Sequence, residues 1–168
     1  MLSTIFKKKL SDEQLSNIFV NGVLDAIDQG FEEVMSLVKE DPAFVRQPQT
    51  EHLKDGHFSM IVIVANVSIL VNNFEPQQVS SLEELIKENL ANVYGMEKAR
   101  FNSYFAEYSS FMSRVNHPSK NMLYAMSKAF FFKYQLNEYQ DKYFRELCAP
   151  NPLFLKRMDE VMENFIWN

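Results

Sequence analysis

The run from Phe58 to Val71 is the most hydrophobic part of the chain, and it constrains the fold more than any other feature. Its β-branched residues favour a strand, but about 14 extended residues would span about 46 Å, well beyond ordinary strand length. A membrane span needs about 20 apolar residues, and this run is shorter and is interrupted by Ser59, Asn66 and Ser68. We therefore predict that the run forms a central, buried helix.

The other apolar residues recur every three or four positions, which is the spacing of one helix face. Capping residues, glycines and prolines place the other helices near 11–41, 81–95, 101–116 and 119–147, with a last helix from 151 onward. Gly22, Ala26 and Gly30 form a stripe of small residues on the first helix, which favours tight packing. Gly30 is also a candidate break in that helix. Residues 43–55 lack sustained periodicity and are predicted to form a loop.

These patterns predict an all-α fold in a single domain, residues 1–168, with residues 1–10 as a flexible N-terminal arm. About five or six helices are expected to pack around the apolar helix at 58–71. A chain of 168 residues buries roughly 70% of its unfolded surface, so it needs no disulfide or metal for stability. No internal repeat or long linker divides the sequence.

Charge and cysteine content argue against several classes of protein. The 22 acidic and 17 basic residues give a net charge of −5, which disfavours a broad phosphate-binding surface for nucleic acid. Cys148 is the one cysteine, so an intramolecular disulfide or a thiolate zinc site cannot form, and a reducing compartment fits best. Lys7 to Lys9 precede polar residues rather than the apolar core of a secretion signal. We expect a cytoplasmic protein without nucleic-acid partners and without stable membrane insertion.

Aromatic residues are concentrated in one region, since thirteen Phe and Tyr lie between residues 101 and 144. Three consecutive aromatics at 130–132 cannot all face one side of a helix, so at least one points away from the core unless the helix is covered on most sides. The leading hypothesis is a non-enzymatic interaction or regulatory module, whose aromatic and Met-rich helix surface contacts a protein partner or a second copy in a homodimer. The predicted contact residues are Tyr108, Phe111, Phe130, Phe131, Phe132 and Tyr134.

The alternative hypothesis is a small-molecule or cofactor binder with an apolar cavity between the aromatic helices and the 58–71 helix. Ser59, Asn66 and Asn73 recur every seven residues and are its candidate ligand-binding residues. A buried asparagine must be hydrogen-bonded, so Asn66 faces water, pairs with a neighbouring segment or lines a polar cavity. A structural hydrogen bond is the favoured interpretation of Asn66.

His52, Asp55 and His57 are the candidate metal ligands, because imidazole and carboxylate groups suit zinc or iron. The two histidines are five positions apart, so they could share an ion only if the segment is irregular. The Glu-x-x-His pairs of di-iron bundles are absent, and no spacing motif supports haem ligation by His57 or His117. The default expectation is therefore no cofactor.

Enzyme activity stays open, and the sequence weighs against it. No nucleophile elbow, phosphate loop, dinucleotide fingerprint or His-Glu-x-x-His motif occurs in the chain. An enzymatic role would require the side chains of His52, Asp55, His57 and His117 to converge.

Overall fold

The computed structural model describes residues 9–167, and all regular structure in that range is helical, as the sequence predicts. The predicted N-terminal arm lies outside the described residues except for its last two positions. Short 3₁₀ turns follow three of the helices, at Ile69–Asn72, Leu136–Tyr139 and Glu163–Phe165. The α-helices are α1 (Asp12–Glu40), α2 (Gly56–Ser68), α3 (Pro76–Val93), α4 (Lys98–Asn116), α5 (Met122–Lys133), α6 (Lys142–Glu146) and α7 (Pro152–Met162).

Helix α2 is the centre of the core, which confirms the interpretation of the apolar run as a buried helix. Every residue from Ile61 to Val67 is buried, and α1, α4 and α5 all pack against the helix. A helix with neighbours on all sides can be apolar around its whole circumference, whereas a surface helix keeps a polar face. None of the helices within residues 9–167 combines the length and the apolar character that a bilayer crossing requires.

Three predicted boundaries were wrong, and each has a local cause. Helix α1 continues through Gly30 without a break. Helix α3 begins at Pro76 rather than near residue 81, because proline is well suited to the first turn of a helix. The predicted helix at 119–147 ends at Lys133, since Gln135 adopts a left-handed conformation with φ of 54°.

The chain changes direction after α5, and one buried side chain anchors the segment that follows. Gln140 is 1% exposed, its amide nitrogen donates to the carbonyl of Ala149 at 2.8 Å, and its amide oxygen accepts from the N–H of Asn151. Buried amides need such partners, so the hydrogen bonds favour the folded-back chain over a continuous helix. Lys133, Tyr134 and Gln135, at the end of α5, line the candidate site.

Two glycines of the small-residue stripe on α1 contact the C-terminal segment. A Cβ atom placed on Gly30 would lie 2.3 Å from Cε1 of Phe165, whereas one placed on Gly22 would lie 3.8 Å from the indole of Trp167. The first distance is a clash and the second is an ordinary contact. Gly30 therefore leaves room for the buried Phe165 ring, while Gly22 is free to carry a methyl group.

We expect opposite effects from the same substitution at these two glycines. Gly30→Ala should lower the free energy of unfolding by about 1–2 kcal/mol, because overpacking of Phe165 exceeds the gain in helix propensity. Gly22→Ala should raise it by about 0.5–1 kcal/mol through helix propensity alone. Urea unfolding followed by circular dichroism measures both changes. Equal stabilisation by the two substitutions would contradict the packing of Phe165 on Gly30.

Candidate functional site

A pocket of about 960 Å³ opens at the N-terminal end of α2. Its walls come from the loop before α2, the first turns of α2, the turn between α3 and α4, the first half of α4, and the C-terminal end of α5 with the 3₁₀ turn that follows it. Aromatic side chains make up much of this surface. They are Tyr94, Phe101, Tyr104, Tyr108, Tyr134 and Tyr139.

Tyr134 ties the pocket walls together. Its hydroxyl accepts a hydrogen bond from the backbone N–H of Phe58 at 3.0 Å and donates to the carbonyl of Lys54 at 2.7 Å. The N–H of Phe58 belongs to the first turn of α2, where backbone donors have no partner within the helix. Burial raises the pKa of Tyr134, so its hydroxyl remains protonated and able to donate at all ordinary pH values. One side chain thus fixes α5, the loop and α2 relative to each other.

His57 and Tyr108 form a second fixed pair in the pocket. Nδ1 of His57 is hydrogen-bonded to the hydroxyl of Tyr108, and the two ring centroids are 6.1 Å apart. Partial burial lowers the pKa of His57, and the positive charge of Lys133 lowers it further while Glu107 opposes this change, so the neutral imidazole is favoured. Burial also raises the pKa of Tyr108. The pair therefore presents two neutral polar rings to the pocket.

Ser59 adds a small polar group to the same wall. Ser59 is 5% exposed, lies at the end of the first turn of α2, and lines the pocket. Burial raises the pKa of Tyr94, while a hydrogen bond with Ser59 opposes that change. Neutral hydroxyls and rings thus outnumber charges on the buried part of the wall. Such a surface suits an aromatic compound with a few hydrogen-bonding groups.

Ser59, Asn66 and Asn73, the polar stripe that recurs every seven residues, do not share one role. Ser59 lines the pocket, but the other two members of the stripe do not. Asn66 donates to the carbonyls of Val62 and Phe165, both at 2.8 Å, and accepts from the N–H of Trp167 at 2.6 Å. These bonds make Asn66 a structural residue, as favoured from the sequence.

Asn73 is the third predicted ligand-binding residue of the stripe, and the structure places it outside the pocket lining. It is exposed and donates to the carbonyl of Ile69 at 3.3 Å, just beyond the C-terminal end of α2. The pocket lies at the opposite end of the same helix. Asn73 therefore cannot contact a ligand there.

The residues predicted to contact a partner lie mostly in the core or the pocket. Phe130 and Phe131 are fully buried, because α2, α4 and α7 all cover α5, and they present no surface to a partner. Phe111 and Phe132 are half-buried against the core. Two further predicted residues, Tyr108 of α4 and Tyr134 at the end of α5, line the pocket.

The predicted metal ligands approach the pocket without forming a metal site. His52, Asp55 and His57 all line it, yet within residues 9–167 no three His, Cys, Asp or Glu side chains are placed to hold an ion together. His57 is instead hydrogen-bonded to a tyrosine. His117 is exposed at the far end of α4 and outside the pocket lining, so the predicted four-residue catalytic cluster does not assemble.

Several pocket residues were not singled out from the sequence. Tyr94, Arg100, Tyr104 and Lys133 line the pocket, and no sequence motif identifies them as site residues. The helix end predicted near residue 95 is confirmed, because Gly95 adopts a left-handed conformation with φ of 62° and forms the turn that brings Tyr94 and α4 to the pocket.

Comparisons with known proteins do not assign the chain to a family. No family model, curated protein or solved structure matches the chain. A function must therefore be inferred from the chemistry of the pocket, because a helical fold is compatible with many functions.

Proposed function

We propose that this protein binds a small molecule that contains an aromatic ring, in the pocket at the N-terminal end of α2. The observation that carries the proposal is the pocket itself, whose volume of about 960 Å³ is lined by five tyrosines and Phe101. Ligand pockets are typically about 300–1,000 Å³, mostly apolar or aromatic, with a few fixed polar groups. Aromatic rings favour offset or edge-to-face contacts with other rings, which makes an aromatic ligand the best match.

The fixed hydrogen bonds support a preformed site. Tyr134 is held by two backbone groups, and His57 is held by Tyr108. Side chains that are already ordered lose little conformational entropy when a ligand binds. The walls also come from five segments of the chain that are already folded and packed together. Ligand binding therefore does not depend on the folding of one flexible loop.

The interaction hypothesis stays a prediction alongside this proposal. The side chains of Tyr143, Leu147 and Leu153 are 66%, 57% and 62% exposed, and they are the apolar residues near α6 that a partner or a second copy could contact.

We also propose a cytoplasmic location, which is supported by the exposed, unpaired thiol of Cys148 because reducing compartments preserve free thiols.

Native mass spectrometry with a panel of one-ring and two-ring aromatic fragments distinguishes binding from self-association. We expect one fragment per monomer, and we expect the complex to be lost in Met60→Trp, because Met60 is a half-buried residue of the pocket wall and the indole would fill the space. Met60→Leu is the matched control, since it nearly conserves volume and should retain binding.

Two results would count against the proposal. Equal fragment binding by wild type and Met60→Trp would place the fragments outside the pocket. A dimer that binds no fragment would favour the interaction hypothesis instead. Circular dichroism and thermal unfolding of both Met60 variants establish that any loss of binding occurs in a folded protein.

A further inference from the structure

We propose that the pocket prefers an aromatic anion, such as a carboxylate on a two-ring system, over the matched neutral or cationic compound, and that Lys133 sets this preference. The inference rests on the proposed function, because it assigns the charge of the ligand that the pocket takes. It is carried by the unequal burial of the charged side chains in the pocket wall and by the cations that already contact the tyrosines.

The charges of the pocket wall differ in their exposure to water. Within residues 9–167 the charged lining side chains are those of Lys54, Asp55, Arg100, Lys133 and Glu138. Four of them are exposed, and water and salt screen such charges strongly. The side chain of Lys133 is only 17% exposed, so its field is the least screened of the five. The two exposed carboxylates therefore do not outweigh it inside the pocket.

The surroundings of Lys133 leave its charge effective toward the pocket. Its partner Glu107 is 3.3 Å away, but that carboxylate is 59% exposed and does not line the pocket. The ammonium nitrogen lies 4.4 Å from the ring centroid of Tyr108, which does line the pocket. At His57, besides burial, the positive charge of Lys133 lowers the pKa, and the charge of Glu107 raises it by less.

The tyrosines do not form a cage for a cationic ligand. Besides Lys133 on Tyr108, Arg100 lies 5.7 Å from the ring centroid of Tyr104, and Arg46 lies 5.8 Å from that of Tyr139. Three of the five pocket tyrosines thus already contact a cation of the protein. A ligand ammonium would gain less from these rings and would be repelled by the side chains that they hold.

Isothermal titration with three compounds that share one ring system tests the inference. The compounds are 2-naphthoate, 2-naphthamide and 2-naphthylmethylammonium, which carry charges of −1, 0 and +1 at pH 7. We expect the wild-type protein to bind the carboxylate roughly tenfold more tightly than the amide and to bind the ammonium compound most weakly. In Lys133→Met the carboxylate and the amide should bind within about twofold of each other.

Lys87→Met is a matched control for the removal of a half-buried lysine. Lys87 has a side chain that is 14% exposed and lies 4.2 Å from the ring centroid of Phe105, yet it is outside the pocket lining. This variant should keep the wild-type preference for the carboxylate. If the amide or the ammonium compound binds wild type as tightly as the carboxylate, the charge inference is wrong and the binding proposal stands. If none of the three compounds binds, both are wrong.

Discussion

Replacing Asn66 with alanine should lower the free energy of unfolding by about 3 kcal/mol. The side chain is 1% exposed and joins the centre of α2 to the C-terminal segment through the carbonyl of Phe165 and the N–H of Trp167. Alanine leaves both backbone groups without a partner and opens a small cavity in the core. A loss of this size corresponds to a fall of about 6–12 °C in Tm for a chain of this length.

The single tryptophan reports the local consequence of that change. Trp167 packs edge-on against Phe19 with ring centroids 4.8 Å apart, so its emission should shift to longer wavelength if the segment detaches in Asn66→Ala. Asn73→Ala is the control, because Asn73 is exposed and should change stability by less than about 0.5 kcal/mol. Similar values of Tm for both variants would rule out a central structural role for Asn66.

Tyr134→Phe should cost about 2 kcal/mol of stability and loosen the pocket wall. The substitution removes only the hydroxyl, which bonds the N–H of Phe58 and the carbonyl of Lys54. Both groups then lose their partner at a site where Tyr134 is only 6% exposed. We expect faster hydrogen exchange at the amide of Phe58, together with a lower Tm.

Tyr143→Phe is the appropriate control for loss of a tyrosine hydroxyl, because the side chain of Tyr143 is 66% exposed. It should leave both Tm and the exchange rate at Phe58 unchanged. If Tyr134→Phe also leaves the exchange of Phe58 unchanged, the hydroxyl does not hold the first turn of α2.

The helices could be predicted from the sequence where local signals decide the outcome. The apolar run at 58–71 is too long for a strand, and it is too short and too often interrupted by polar residues for a membrane span, so its helical state follows from these local features. The end of α5 could not be predicted, because Gln135 is neither glycine nor asparagine and its left-handed conformation has no local signature. Tertiary partners of the buried Gln140 decide that boundary.

The pocket could be predicted only in fragments. His57, Ser59, Tyr108 and Tyr134 were each singled out, but as members of three separate hypotheses about metal, ligand and partner binding. Their convergence depends on how α4 and α5 pack against the start of α2, and helix periodicity does not specify that arrangement. Lys133 was missed for the same reason, since its role arises from neighbours distant in sequence.

Amide NMR spectra of the protein with and without 2-naphthoate test the central claim most directly, because they locate the ligand. We predict that the largest shifts occur at Gly56, His57, Gly95 and Gln135, which surround the pocket, and that Met60→Trp abolishes them. Shifts confined to the exposed residues near α6, or shifts unchanged by Met60→Trp, would contradict a small-molecule site at the N-terminal end of α2.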